Sequence, residues 1–186
     1  MSYKNHFIRL AIYNRFAFKE LFSKLNECIS LENYHADSGL FFRSIHGTLC
    51  HCLLSSILWY SRIAEPLDIA KKFPFEINSY WSRTAEEWEQ VVKDREKLQN
   101  MIIEECNRWI DYVTQLEPEQ LDKTFKYLDT KNVSSERVRG EALDHIFNHK
   151  THHRGQITAA MTRFGGRDAS PVLDLASMPT TEEHKT

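Results

Sequence analysis

Helix breakers are scarce in this chain: six glycines and five prolines in 186 residues, most of them between runs of helical periodicity. Long elements therefore have few places where they must end. Cysteine is scarce too. Cys28, Cys50, Cys52 and Cys106 match neither a zinc-ribbon CxxC pair nor the dense framework of a small secreted domain. Reduced thiols in a cytoplasmic protein are the expectation. Cys50 and Cys52, two apart on an expected helix, point in different directions and are not expected to pair. No stretch approaches the roughly 18 uninterrupted apolar residues of a membrane span. The start, Met1-Ser-Tyr-Lys-Asn-His6, leads into mixed sequence without the apolar centre of a signal peptide. An excess of one charge is lacking as well. The formal net charge is −2, so no basic field invites nucleic acid or an anionic membrane, and neither is expected as a partner.

What is present is ordinary for a folded protein. Hydrophobic residues make up 41% and charged residues 27%, which argues against disorder. The length suits one domain, expected over residues 1–179, with a frayed tail over 180–186. A first helix is expected from about Asn5 to Ile29, because Phe7, Leu10, Ala11, Asn14, Phe18, Leu21, Phe22 and Leu25 recur at three- and four-residue steps. A loop follows from Ser30 to about Phe42, with Asp37-Ser38-Gly39 as its turn signal. Ser44 is placed to cap a second helix from about Ile45 to Ile63, stopped by Glu65-Pro66. Gly47 inside it is a mild cost and marks a close approach to a neighbouring helix.

Residues 66–79 read as a connection, with Phe73-Pro74-Phe75 packed down. The longest periodic stretch runs from about Thr84 to Leu116 and ends before Pro118. Residues 119–134 are ambiguous, although the weak alternation of Thr124-Phe-Lys-Tyr-Leu-Asp129 suits a short hairpin. A last helix is expected from about Ser135, its cap, to Phe164, ended by Gly165-Gly166. Val172, Leu173, Leu175 and Met178 of the tail are expected to dock on the body. Four long helices with one crossover connection make an all-α four-helix bundle.

The unusual feature is histidine. There are nine, and four of them fall in His145–His153. His149 and His153 are four apart, so on a helix both imidazoles project from one face and can chelate one metal ion. His51, among Leu49, Leu53, Leu54 and Leu58, is the natural third ligand from another helix. Three nitrogens would leave coordination positions open for water or substrate. A lone histidine on an apolar face is more often merely hydrogen-bonded; the dense C-terminal cluster is what favours ligation. Spacing alone makes His149 the safest ligand and leaves its partner open between His153 and His145. His152 lies about 100° round the wheel from His153 and suits a surface or supporting place. His46 does not share a tight face with His51. Arg154 could hold an anionic group or pair with Glu141 or Asp144, and those two acids could instead orient a ligand's distal N–H.

His46-Gly-Thr-Leu-Cys-His51, followed by Trp59, and His149-Lys-Thr-His-His153-Arg-Gly-Gln156 closely resemble the DinB-like (DinB/YfiT) family of candidate metalloenzymes. Tyr13-Asn14 and Pro171-Val-Leu-Asp174-Leu also look like family segments, so the resemblance runs through nearly the whole chain. It implies a bundle of up-down-down-up course and a metal held by His51, His149 and His153. That favours His153 over His145 by family likeness alone. It also implies a homodimer. Imidazole ligands admit Zn, Ni, Fe or Cu, and a divalent transition metal is expected, zinc or nickel first and iron next. One departure is Ser56, where many relatives carry an acid.

Such a site suits an enzyme acting on a small molecule, since a His₃ ion lowers the pKa of bound water or thiol. Members of the superfamily include bacillithiol-using transferases and a mycothiol-dependent maleylpyruvate isomerase. The resemblance therefore implies a low-molecular-weight thiol as partner in an S-transferase. A metal-dependent hydrolase is the alternative. A non-catalytic metal-binding bundle of the stress response is another, and a fourth ligand such as His145, Cys50 or Cys52 would favour it. Nucleophilic use of Cys50 or Cys52, which flank His51, is a third.

Overall fold

The computed structural model describes residues 2–64 and 84–179. Within them lie α1 (Tyr3–Cys28), α2 (Leu31–His35), α3 (Ile45–Ala64), α4 (Ala85–Glu89), α5 (Arg95–Gln115), β1 (Thr124–Leu128), β2 (Ser134–Val138) and α6 (Arg139–Gly165). The four long helices make the all-α bundle that the periodicity predicts. Side-chain bonds give their directions. Tyr3 meets Asp144 and Asn14 meets Arg154, so α1 and α6 run the same way. Arg15 meets Asn107 and Asn26 meets Gln99, so α5 opposes α1. Ser56 meets Glu105 and Tyr112 meets the Ile63 carbonyl, so α3 is parallel to α5. The course is up-down-down-up, with α1 and α3 each packed against both α5 and α6.

The core forms two clusters along the bundle. One end is filled by Phe7, Tyr60, Trp109, Tyr112 and Phe147, the other by Phe18, Leu21, Leu49, Leu98 and Ile157. Full burial of side chains this size stabilises by about 1.5–3 kcal/mol each. That is why the apolar stripe, rather than intrinsic propensity, decides which residues are helical.

The ends of the helices follow local chemistry. Ser44 caps α3 as expected, its hydroxyl accepting from the Gly47 N–H. Asp37 accepts from the Gly39 N–H, and Gly39 has φ +71, so the predicted turn is there. Three expectations need correcting. The loop after Ser30 contains a helical turn, α2, capped by Ser30 itself. The stretch from Thr84 is not one helix. A capping box at Thr84 and Glu87 starts α4, the chain leaves helix at Gln90, and Asp94 caps α5 by accepting from Lys97 N–H at 2.6 Å. Buried Trp88 and Val92 carry the apolar pattern across that break and conceal it. The last helix starts at Arg139, not Ser135. Ser135 pairs with Tyr127 in an antiparallel β1–β2 hairpin. The Arg139 and Gly140 N–H groups donate to the Lys123 and Leu121 carbonyls, pinning the start of α6 beneath it.

The hairpin before the last helix is thus present. In the tail, Met178 is buried and Leu173 packs on the core while its carbonyl accepts from Tyr13; Val172 and Leu175 stay exposed. The stop at Glu65-Pro66, the connection over 66–79 with Phe73-Pro74-Phe75, and the tail over 180–186 lie outside the described residues. Among the described residues no helix is long and apolar enough to cross a membrane.

Candidate metal centre

His149 and His153 share one face of α6, and His51 on α3 meets them across the seam between the two antiparallel helices. Their Nε2 atoms converge. His149 Nε2 lies 3.2 Å from His51 Nε2 and 3.1 Å from His153 Nε2. An ion about 2.0–2.1 Å from each imidazole nitrogen, with angles between octahedral and tetrahedral, sets N···N edges of about 2.8–3.4 Å. The two edges through His149 fall in that range and all three ligand atoms lie within 4.8 Å of one another, so the residues present fit a first-row metal ion.

Electrostatics prepares the same nitrogens. Burial, followed by the neighbouring imidazoles of His153 and His149, depresses His51 to about 2. Burial, followed by His153, His145 and Lys150, depresses His149 to about 3. Burial also lowers His153. All three are neutral at pH 7, the form that can ligate. For His153 the tautomer follows from geometry. Its Nδ1 donates to Gln156 Oε1 at 2.8 Å, which leaves the Nε2 lone pair facing the cluster.

Aromatic rings hold the other side. Phe42 stacks on His51, centroids 4.0 Å apart and planes 17° from parallel, and Trp88 meets His51 edge-on at 5.5 Å. Phe42 is positioned by a buried clamp. Glu89 of α4 accepts from Ser44 and, at 2.6 Å, from Arg43 Nη2. The Glu89 carbonyl lies 3.1 Å from His46 Nε2. A Cβ at Gly47 would collide with the Phe42 carbonyl and crowd the Glu89 side chain. The close approach marked by Gly47 is therefore to the loop and α4, not to a long helix.

The remaining candidates fall elsewhere. His46 is a core histidine bonded to Tyr34 and Glu89. His145 packs on Trp59 at 5.1 Å and beside His149 at 5.6 Å, outside the converging trio. His152 is exposed, with its ring 5.0 Å from that of His153. Arg154 pairs with neither Glu141 nor Asp144; it is buried, bonded to Asn14 and Thr151, and lies over the Tyr13 and Phe18 rings. The predicted role of Glu141 or Asp144 in orienting a ligand is filled, for His153, by Gln156. The i+3 spacing from His153 was its sequence signal. Phe42 and Trp88 had none, since only tertiary packing brings them to His51. Burial pushes the Cys50 and Cys52 thiols up to about 12, so both rest protonated and suit packing better than nucleophilic attack. Ser56, the departure from the family pattern, donates to buried Glu105 at 3.0 Å and accepts from Trp109 Nε1 at 2.8 Å.

Fold and site together define a class: a four-helix bundle with three imidazoles, from two helices, aimed at one point where a divalent metal could bind. The comparisons narrow it. A profile of the DinB family matches residues 1–185, and the chain belongs to that family. It is similar to "Protein DinB" of Bacillus subtilis (strain 168), 27% identical over 169 residues that cover 88% of this chain and 88% of that protein.

Proposed function

We propose that the protein is a metal-dependent enzyme in which His51, His149 and His153 hold a divalent transition ion, zinc or nickel before iron, and that it works on a small-molecule substrate. The observation that carries this is the convergence of three neutral Nε2 atoms with no fourth histidine, cysteine or carboxylate joining them among the described residues. A structural zinc is usually closed by four protein ligands, whereas a catalytic one keeps a position open. A bound ion would supply Lewis acidity and lower the pKa of a thiol or water beside it.

The protein's own groups do the rest. Gln156 fixes the His153 tautomer, and Phe42 and Trp88 shield His51 from water. The favoured reaction is transfer of a low-molecular-weight thiol to an electrophile in a cytoplasmic homodimer. Support for the thiol and the dimer comes from the family likeness. Hydrolysis uses the same site and is the second reading. Zinc- and nickel-loaded protein would be screened with small thiols plus electrophiles, and separately with esters and amides. Turnover abolished by His153→Ala, with helicity and melting retained, supports the enzyme. Absence of turnover, together with unfolding on metal removal, would instead make the trio a structural tie of a stress-response bundle.

A further inference from the structure

The opposite side of α6 carries a second feature that the metal centre does not use. A cleft of about 460 Å³ opens between α1 and α6, lined by Leu10, Tyr13, Asn14, Phe147, Thr151 and Arg154, among others. Thr151 and Arg154 project about 140–200° round the helix from His149, so the cleft faces mostly away from the imidazole trio, although His145, whose ring lies 5.6 Å from that of His149, also lines it. The volume is in the range of small-molecule sites.

At the inner end lies a buried cation without a counter-ion. Arg154 is 2% exposed. Its Nη1 donates to Asn14 Oδ1 at 2.5 Å and its Nη2 to Thr151 Oγ1 at 3.0 Å. The Tyr13 and Phe18 rings lie 5.2 Å away. Every one of these partners is neutral, and no carboxylate pairs with it among the described residues. A guanidinium has five donors, and the bonds to Asn14, Thr151 and the Tyr13 hydroxyl leave some over. Taking a charge out of water is costly unless an opposite charge compensates it.

The cleft also limits what the compensating group can be. Leu10, Tyr13 and Phe147 offer an apolar wall. Asp144, which accepts from Tyr3, stands among the lining residues and disfavours a multiply charged guest. We propose that this cleft is a binding site for a small monocarboxylate with an apolar body, its carboxylate directed to Arg154 and its body laid against Leu10, Tyr13 and Phe147. This site does not depend on the metal reading.

The test titrates the full chain, chelator-treated and zinc-loaded in parallel, with benzoate and with benzamide as its neutral counterpart. Binding is followed by NMR shifts and by the melting temperature. Benzoate is expected to bind saturably and alike in both metal states, with benzamide at least roughly tenfold weaker. Arg154→Gln should remove that preference. Since loss of a buried arginine can itself unfold the bundle, Leu10→Trp provides a second arm: it fills the cleft from the apolar wall and should abolish benzoate binding with the metal site intact. Equal binding of benzamide, binding only to the zinc-loaded form, benzoate binding unaffected by Leu10→Trp, or no saturable binding would each overturn the proposal. So would a dimer that Leu10→Trp dissociates in a protein blind to benzoate, which would place a second copy in the cleft.

Discussion

Glu105→Gln should change how stability depends on pH. Glu105 is 3% exposed, and burial raises its carboxyl to about 7 against the opposing pull of Lys150, Arg108 and the Ser56 hydroxyl. The unfolded chain ionises near the ordinary value of 4.5. Between those two values the folded state keeps a proton that the unfolded state has released. The stability linked to that proton is fully present below about pH 4.5 and is lost as pH rises through about 7. The slope is about 1.4 kcal/mol per pH unit and the total about 3 kcal/mol. Glutamine keeps an oxygen that can accept from Ser56 but has no proton to lose. Urea unfolding of metal-free wild type and Glu105→Gln would be compared at about pH 5, 6 and 8. The variant's stability relative to wild type should climb by about 2.5 kcal/mol across that range, and taking the difference cancels the contributions of other titrating groups. A difference that stays flat with pH would show that Glu105 is ionised in the folded protein and refute the reasoning.

Three further outcomes follow from the packing. Gln156→Leu removes the acceptor of His153 Nδ1–H and should weaken metal binding about 10–100-fold, measured by competition with a chromophoric chelator; unchanged affinity would mean that the tautomer needs no such support. Gly47→Ala drives a methyl into the Phe42 carbonyl and should cost about 1–3 kcal/mol in urea unfolding. A loss within about 0.5 kcal/mol would show that the loop yields freely. Native protein should expose only Cys28 to a thiol reagent, because Cys50, Cys52 and Cys106 are buried. Rapid labelling at Cys50 or Cys52 would reopen nucleophilic use of those thiols.

Much of the molecule was legible before any coordinates. The helical spacing of Phe7, Ala11, Phe18 and Leu25 identifies a buried stripe, and all four are core residues. The i,i+4 step of His149 and His153 puts both rings on one face. Spacing alone could not choose between His145 and His153, because both are one turn from His149. What separates them is the neighbour each meets, Trp59 for the first and the His51 imidazole for the second. The break between α4 and α5 was hidden because Trp88 and Val92 continue the apolar pattern through residues that are not helical. The second strand was hidden because Ser134-Ser-Glu-Arg-Val138 has no apolar alternation; its register comes from pairing with Thr124–Leu128. Of the two roles left open for Arg154, pairing with Glu141 or Asp144 is not met, because sequence shows which acids lie near in the chain, not which helix face the guanidinium joins.

The most direct measurement is a metal titration with the bound ion located by anomalous scattering in a crystal. The account predicts one divalent ion per chain, bonded to nitrogen from positions 51, 149 and 153, with His51→Ala losing most of the affinity while remaining folded. An ion bound equally well after His51→Ala, or located between His145 and His149 without a ligand from α3, would contradict it.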